Sequence, residues 1–180
     1  MDSPDSDNGN DHLELSALYD LRQYNEATER VQSNPEEVRQ LAYGRATVLH
    51  RAVYANPPTE VLLPLIDAWP EALWFQNNDG LTPLAWLGDM MKESTADLLL
   101  AEVKKRCPPG STLYWCVMFE GNTPLHRSCL SRNSSPSIVA KIIEQCPESA
   151  LIRNNKGRLP LEISKDNWCL RDEADALFAS

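Results

Sequence analysis

The six residues GNTPLH (121–126) have the features of a tight turn followed by the start of a helix. Gly121 can adopt a positive φ at little steric cost, which suits it to the turn. The Thr123 hydroxyl can accept a hydrogen bond from a free amide of the first helical turn. Pro124 has no N–H, but at the first position of a helix an N–H would have no helical partner, so nothing is lost. The stretch therefore predicts a turn at Gly121 and a helix from Pro124.

Three other stretches match this motif: RATVLH (45–50), GLTPLA (80–85) and GRLPLE (157–162). Successive copies begin about 35 to 41 residues apart. A separation of this size is typical of proteins that stack one repeated structural unit. The longer likeness of ALWFQNNDGLTPLAW (72–86) to ALIRNNKGRLPLEI (150–163) agrees with this interpretation.

A second helix is predicted between the motifs. TEVLLPLIDAWPEAL (59–73) and PSIVAKIIEQCPESAL (136–151) carry apolar residues at the same relative positions. These positions lie on one helical face, and each helix is expected to end before a proline, at Pro70 and Pro147. Each unit is therefore predicted to contain two helices.

The motif resembles the helix start of the ankyrin repeat family, Thr-Pro-Leu-His. This start is intact at 123–126, reads TVLH at 47–50, and is altered to TPLA at 82–85 and LPLE at 159–162. The resemblance covers roughly residues 44–170. It implies an all-α solenoid of stacked helix-turn-helix repeats, with β-hairpin-like fingers along one edge and helical caps at both ends.

The chain is predicted to have three parts. Residues 1–12 hold four aspartates and no basic residue, which is typical of a disordered acidic tail. Residues 13–43 are expected to form N-terminal capping helices, the first from Leu13 through Tyr24 and the second from Ala27 to Asn34. With a further closing helix near 171–180, we expect a complete unit. The repeats are placed at about 45–79, 80–120, 121–156 and 157–180, within 44–180.

Charge and composition narrow the class of partner. The net charge of -9 argues against binding to nucleic acid or to an anionic membrane. No apolar run approaches the roughly 20 residues of a membrane helix, and the acidic N-terminus is unlike a signal peptide. We expect a cytoplasmic monomer with reduced cysteines, a nuclear location being also open.

Nothing in the sequence predicts catalysis. Neither a Gly-x-Ser-x-Gly turn nor a phosphate-binding glycine loop is present. His50 and His126 occupy the fourth motif position, which the resemblance implies is structural. His126 and Cys129 could share a metal ion, but a structural zinc site needs four ligands. We therefore expect no catalytic, cofactor-binding or metal site.

The resemblance implies that fingertips and first helices bind a protein partner. We expect a non-catalytic interaction module, an adaptor or regulator; the alternative is an enzyme inhibitor or substrate-recognition subunit that uses the same face. The hypothesis places Trp86, Tyr54 and Phe119 in an apolar centre flanked by Arg51 and Arg127, although Trp86 folding back into the stack is equally open. The candidate residues are Tyr43, Arg51, Tyr54, Asn78, Leu81, Trp86, Met90, Phe119, Asn122, Arg127, Leu130, Asn155 and Arg158.

The segment CPPGSTLYWCVMFEG (107–121) accounts for the longest separation between motifs. Its part from Leu113 to Phe119 is rich in residues that favour strands. We expect an enlarged finger there. Packing over the neighbouring finger and docking to a partner both remain open for it.

Overall fold

The computed structural model describes residues 14–87, 91–106 and 119–179, with only the backbone at Phe119. The predicted tail, Met90, most of the enlarged finger and the Phe119 side chain lie outside the described residues. The described chain is all-α apart from one short pair of antiparallel strands, β1 (Leu41–Ala42) and β2 (Ala46–Thr47). Its α-helices are α1 (Leu15–Asp20), α2 (Tyr24–Ser33), α3 (Val48–Ala55), α4 (Thr59–Ala68), α5 (Glu93–Arg106), α6 (Pro124–Leu130), α7 (Pro136–Gln145), α8 (Pro160–Ser164) and α9 (Ala174–Leu177).

None of the helices within those ranges is both long enough and apolar enough to cross a membrane. One hydrophobic core extends from α1 to the segment after α8. Helix α3 packs on α1 and α4, and α6 packs on α7 and α8. The apolar stripes predicted for the second helices are buried, with Leu62, Ile66, Val139 and Ile142 all at 0% exposure.

The N-terminal helices divide differently from the prediction. One helix was expected from Leu13 through Tyr24, and this is wrong because α1 ends at Asp20 and α2 begins at Tyr24. The chain turns at Arg22, whose φ is 60°, and Leu21 is left 58% exposed. The turn brings the ring of Tyr24 to 6.3 Å from that of the fully buried Tyr19. Packing of the two rings accompanies the break that leucine spacing alone does not predict.

Helices α2, α4 and α7 end in the same way, as their prolines predict. The residue before each proline, Asn34, Trp69 or Cys146, has a φ between -136° and -146° and is no longer helical. Its N–H still donates to the carbonyl four residues earlier, at 2.8 to 3.0 Å. A proline disfavours helical geometry in the residue before it, so the helix stops there. Each proline then begins a short 3₁₀ turn: Pro35–Arg39, Pro70–Trp74 and Pro147–Leu151.

The motif at 80–85 starts a shorter element than its counterparts. A 3₁₀ turn, Pro83–Trp86, follows Thr82 where an α-helix was expected. Thr82 has the extended backbone of a capping residue, but its hydroxyl makes no capping hydrogen bond. Ala85 stands where His50 and His126 stand in two of the other copies, so the side chain that bonds back to the threonine is missing.

Candidate functional site

A buried hydrogen-bonded frame supports the first helix after the β pair. The Thr47 hydroxyl accepts the N–H of His50 at 3.3 Å, and the Thr47 N–H donates to Nδ1 of His50 at 3.1 Å. With Nδ1 accepting, the proton of the neutral ring lies on Nε2, which donates to the carbonyl oxygen of Leu81 at 2.9 Å. The cap of α3 is thus tied to the turn that precedes Pro83.

The same frame is present at the start of α6. The Thr123 hydroxyl accepts the His126 N–H at 3.3 Å, and the Thr123 N–H donates to Nδ1 at 3.1 Å. Nε2 of His126 donates to the carbonyl oxygen of Arg158 at 3.0 Å. The prediction of capping threonines at these two positions is confirmed.

The side chains at the two helix starts are buried and hydrogen-bonded. Burial lowers the pKa of His50 and His126, and the hydrogen bond from each ring to a backbone carbonyl acts in the opposite direction. Both ring nitrogens are engaged in each case. Burial also raises the pKa of the Cys129 thiol to about 12, so it stays protonated beside His126. Within the described ranges, no three His, Cys, Asp or Glu side chains are grouped to hold a metal ion.

Two asparagine turns occupy the positions where fingertips were predicted. Oδ1 of Asn77 accepts the N–H groups of Asp79 and Leu81 at 2.9 and 3.0 Å. Oδ1 of Asn154 accepts the N–H groups two and four residues later, both at 3.0 Å. A glycine closes each turn with a positive φ, 67° at Gly80 and 74° at Gly157.

Each asparagine turn is also joined to an earlier turn. The Asn78 N–H donates to the carbonyl of Gly44 at 2.8 Å, and the Asn155 N–H donates to that of Glu120 at 2.9 Å. These backbone hydrogen bonds set the position of each asparagine turn relative to the earlier turn, and they support the exposed side chains that the two turns carry.

A concavity of about 590 Å³ opens between the first pair of turns and α3, and we call it the aromatic groove. Five predicted residues line it: Tyr43, Arg51, Tyr54, Asn78 and Trp86. The Tyr43 side chain is fully exposed, and Tyr54 is 66% exposed. The rings of Tyr54 and Trp86 meet edge to face, with centroids 5.2 Å apart and planes at 64°. Trp86 is half-buried, so its ring both packs against the core and lines the groove.

The charges of the aromatic groove are partly neutralised from within the chain. Arg51 forms an ion pair with Asp20 at the end of α1. Asp79 lines the same concavity and is exposed at the asparagine turn. The groove therefore combines aromatic surface, one exposed carboxylate and one paired guanidinium.

The remaining predicted residues lie elsewhere. Arg127, Leu130 and Arg158 lie around smaller concavities near the ends of α6 and α8. Asn155 is exposed at its turn, whereas Leu81 is half-buried against the core. Of the predicted apolar centre, the described residues include only the contact between Tyr54 and Trp86.

Asn122 requires a correction. It was placed on the exposed face, but its side chain is 4% exposed and accepts a hydrogen bond from Nδ2 of Asn154 at 2.9 Å. The asparagine turn at 154–157 covers it, and the equivalent position of the first motif is Ala46. Asn122 therefore supports the turn and is not available to a partner.

The motif alignment missed two exposed residues, Arg132 and Trp168. Both line a concavity with Leu130, and the Trp168 side chain is 65% exposed. They lie in loops after α6 and α8, outside the motif positions from which the face was predicted. The available signal was a tryptophan within a polar stretch, SKDNWCLRDE (164–173).

The chain was compared with models of known protein families, and none of them matched. A search of curated proteins gave no match either. Function is therefore inferred from the geometry of the site and from the sequence motifs.

Proposed function

We propose that the chain is an ankyrin-like stack of helix-turn-helix units that acts as a non-catalytic protein-binding module. The four motifs in regular succession support this, as do the matching frames at His50 and His126. In the proposed stack, each frame joins one unit to the next through a buried imidazole. Such joints hold the exposed edge of the stack in a fixed shape.

The observation that carries the proposal is the aromatic groove. Tyr43 and Tyr54 expose large rings beside Trp86 in one concavity. Tyrosine, tryptophan and arginine are enriched at the energetic centres of protein interfaces. Tyr54 lies on helix α3, Trp86 lies in the 3₁₀ turn Pro83–Trp86, and Tyr43 precedes Gly44, whose carbonyl accepts the Asn78 N–H. Because these elements position the three side chains in advance, binding would cost little ordering entropy.

The groove offers little for catalysis. His50 is the histidine that lines it, and both of its ring nitrogens are already hydrogen-bonded to Thr47 and Leu81. Its lowered pKa and engaged nitrogens make it a poor proton acceptor in this position. A binding role fits the lining residues better than an acid–base role.

A crosslinking experiment tests the proposal. A photoreactive phenylalanine analogue replaces Tyr43 in the full chain, and a second chain carries it at Leu151, which is 79% exposed and lies outside the groove lining. We expect one protein from the native cell to crosslink from position 43 and not from position 151. Tyr54→Ala and Trp86→Ala should each weaken its binding at least about tenfold.

The control variant is Leu151→Ala, which should leave binding unchanged. Circular dichroism melting curves identify any groove variant that fails to fold. Binding that survives both groove substitutions in folded protein would refute the proposal. If the captured protein is an enzyme, assaying its activity with and without the chain distinguishes an inhibitor from an adaptor.

A further inference from the structure

A second concavity, of about 370 Å³, lies at the other end of the described chain, between the loops that follow α6 and α8. We call it the C-terminal cleft. The residues that matter for its chemistry are Leu130, Arg132, Arg158, Asp166 and Trp168. Leu130 and Arg132 also line a neighbouring hollow with Arg127, so the two depressions form one surface.

Buried hydrogen bonds hold the two loops of the cleft together. Nδ2 of Asn167 donates to the carbonyl oxygens of Cys129 and Ser131, at 2.8 and 2.7 Å. The Cys169 thiol donates to the carbonyl oxygen of Arg132 at 3.0 Å. The last turn of α6 is thus capped by a side chain from the opposite loop. Arg132 and Trp168 are consequently presented from a preformed backbone, which lowers the entropy lost on binding.

The cleft has unbalanced positive charge. Arg158 is paired with Asp166 at 2.6 Å, but Arg132 forms no ion pair with any described residue. Nε of Arg127 is buried and has no hydrogen-bond partner among the residues that the structure describes. The chain as a whole is acidic, with a net charge of -9, so this local excess of guanidinium groups is unusual for the molecule.

Exposed apolar surface accompanies these guanidinium groups. Leu130 is 47% exposed and Trp168 is 65% exposed, and both line the cleft. A planar guanidinium binds a carboxylate through two parallel hydrogen bonds, whereas leucine and tryptophan surface favours an apolar side chain. The combination fits a segment that carries both kinds of group.

We propose that the C-terminal cleft binds an acidic peptide segment of a partner protein, with carboxylates on Arg132 and Arg127 and one large apolar side chain between Leu130 and Trp168. The inference rests on the proposed function, because it names the chemistry of part of the bound protein. It concerns a surface separate from the aromatic groove, so a purified probe can test it without the natural partner.

The probe is a short fluorescein-labelled peptide in which glutamates flank one central leucine. A matched peptide has glutamine in place of every glutamate. Fluorescence anisotropy with the full chain at low ionic strength should show at least about tenfold tighter binding of the glutamate peptide. Added salt should reduce this difference, because exposed charges are screened.

Arg132→Glu and Trp168→Ala should each weaken binding of the glutamate peptide at least about tenfold. Two controls should leave its affinity unchanged: Lys104→Glu, a charge reversal on α5, and Leu21→Ala, which removes an exposed apolar side chain from the turn after α1. Melting curves confirm that each variant is folded.

Equal affinity for the two peptides would overturn the inference, as would a folded Arg132→Glu variant that binds normally. An oligonucleotide that competes with the glutamate peptide at equal concentration would assign the cleft to nucleic acid instead. If the analogue at position 43 crosslinks no protein while the glutamate peptide still binds as expected, only the role of the aromatic groove is refuted.

Discussion

Residues 44–81 and residues 120–158 have several hydrogen bonds in common. In both segments a threonine caps a helix, the histidine three residues later bonds a distant carbonyl, and an asparagine turn closes the segment. Their exposed side chains differ. Seven residues after the capping threonine stand Tyr54 in one segment and Leu130 in the other. The buried hydrogen bonds are thus shared by the two segments, while the exposed side chains differ in chemistry.

The arginines that follow His50 and His126 also differ in their surroundings, although the hydrogen bonds of the two histidines are alike. Arg51 is paired with Asp20, whereas Arg127 forms no ion pair with any residue that the structure describes. A shared backbone therefore presents a largely neutral aromatic surface at one end and a cationic apolar surface at the other. The two surfaces therefore expose different chemical groups to solvent.

The largest expected effect concerns the turn before Thr123. Gly121 has a φ of 72°, and an added Cβ would lie 2.9 Å from the backbone nitrogen of Asn155. Gly157, with a φ of 74°, has nothing within 4 Å of such an atom. Gly121→Ala should reduce the free energy of unfolding by about 3 kcal/mol, and Gly157→Ala by about 1 kcal/mol. Urea denaturation followed by circular dichroism measures both.

Similar losses for the two variants would show that the contact with Asn155 relaxes without cost. In the first segment, the position equivalent to Gly121 is occupied by Arg45, which has a φ of 56° despite its full side chain. The two segments therefore do not tolerate the same residues at this turn, despite their common hydrogen bonds.

The second prediction concerns pH. Burial lowers the pKa of both His50 and His126 in the folded chain, so the unfolded chain binds more protons as the pH falls. Their contribution to stability is complete well above the unfolded pKa of about 6.5 and is lost progressively below it. The free energy of unfolding should therefore fall as the pH is lowered through about 6.5.

Single variants separate the two segments in this experiment. His50→Gln and His126→Gln should each reduce the pH dependence, because each frame contributes one histidine with a lowered pKa. The pKa of Glu162 is lowered by a hydrogen bond from the Leu159 N–H, so this carboxylate stays charged in the same window. A pH dependence unchanged in both variants would contradict the assignment to the frames.

The smallest expected effect comes from the threonines. Thr123 caps α6, whereas the hydroxyl of Thr82 has no hydrogen-bond partner among the described residues. Thr123→Val should cost about 1 kcal/mol of unfolding free energy, and Thr82→Val should change it by less than about 0.5 kcal/mol. Thermal melting of the two variants compares them directly. An equal cost would mean that the Thr82 hydroxyl has a stabilising role of its own.

The local elements were largely predictable from sequence. The turns at Gly80, Gly121 and Gly157 and the caps at Thr47 and Thr123 follow from backbone freedom and hydrogen-bonding capacity, which are properties of individual residues. The helix ends before proline were predictable for the same reason. The asparagine turns hold exposed residues where the motif comparison expected fingertips.

Contacts between distant parts of the chain were harder to predict. Burial of Asn122 depends on Asn154, which covers it from another turn. The break at Arg22 accompanies packing between Tyr19 and Tyr24 that leucine spacing does not encode. The C-terminal cleft brings together two loops outside the motif, so alignment of the motif gave no indication of Arg132 or Trp168.

The hydrogen bonds from His50 and His126 to distant carbonyls, here called imidazole bridges, also affect how the chain unfolds. His50 and His126 bond carbonyls that are 31 and 32 residues further along the chain. If only one end of a bridge unfolds, a buried polar atom at the other end loses its hydrogen-bond partner. This raises the free energy of partly unfolded states. Neighbouring segments should therefore lose structure together. The amide protons of His50 and Leu81, at the two ends of one bridge, should show similar protection from hydrogen exchange.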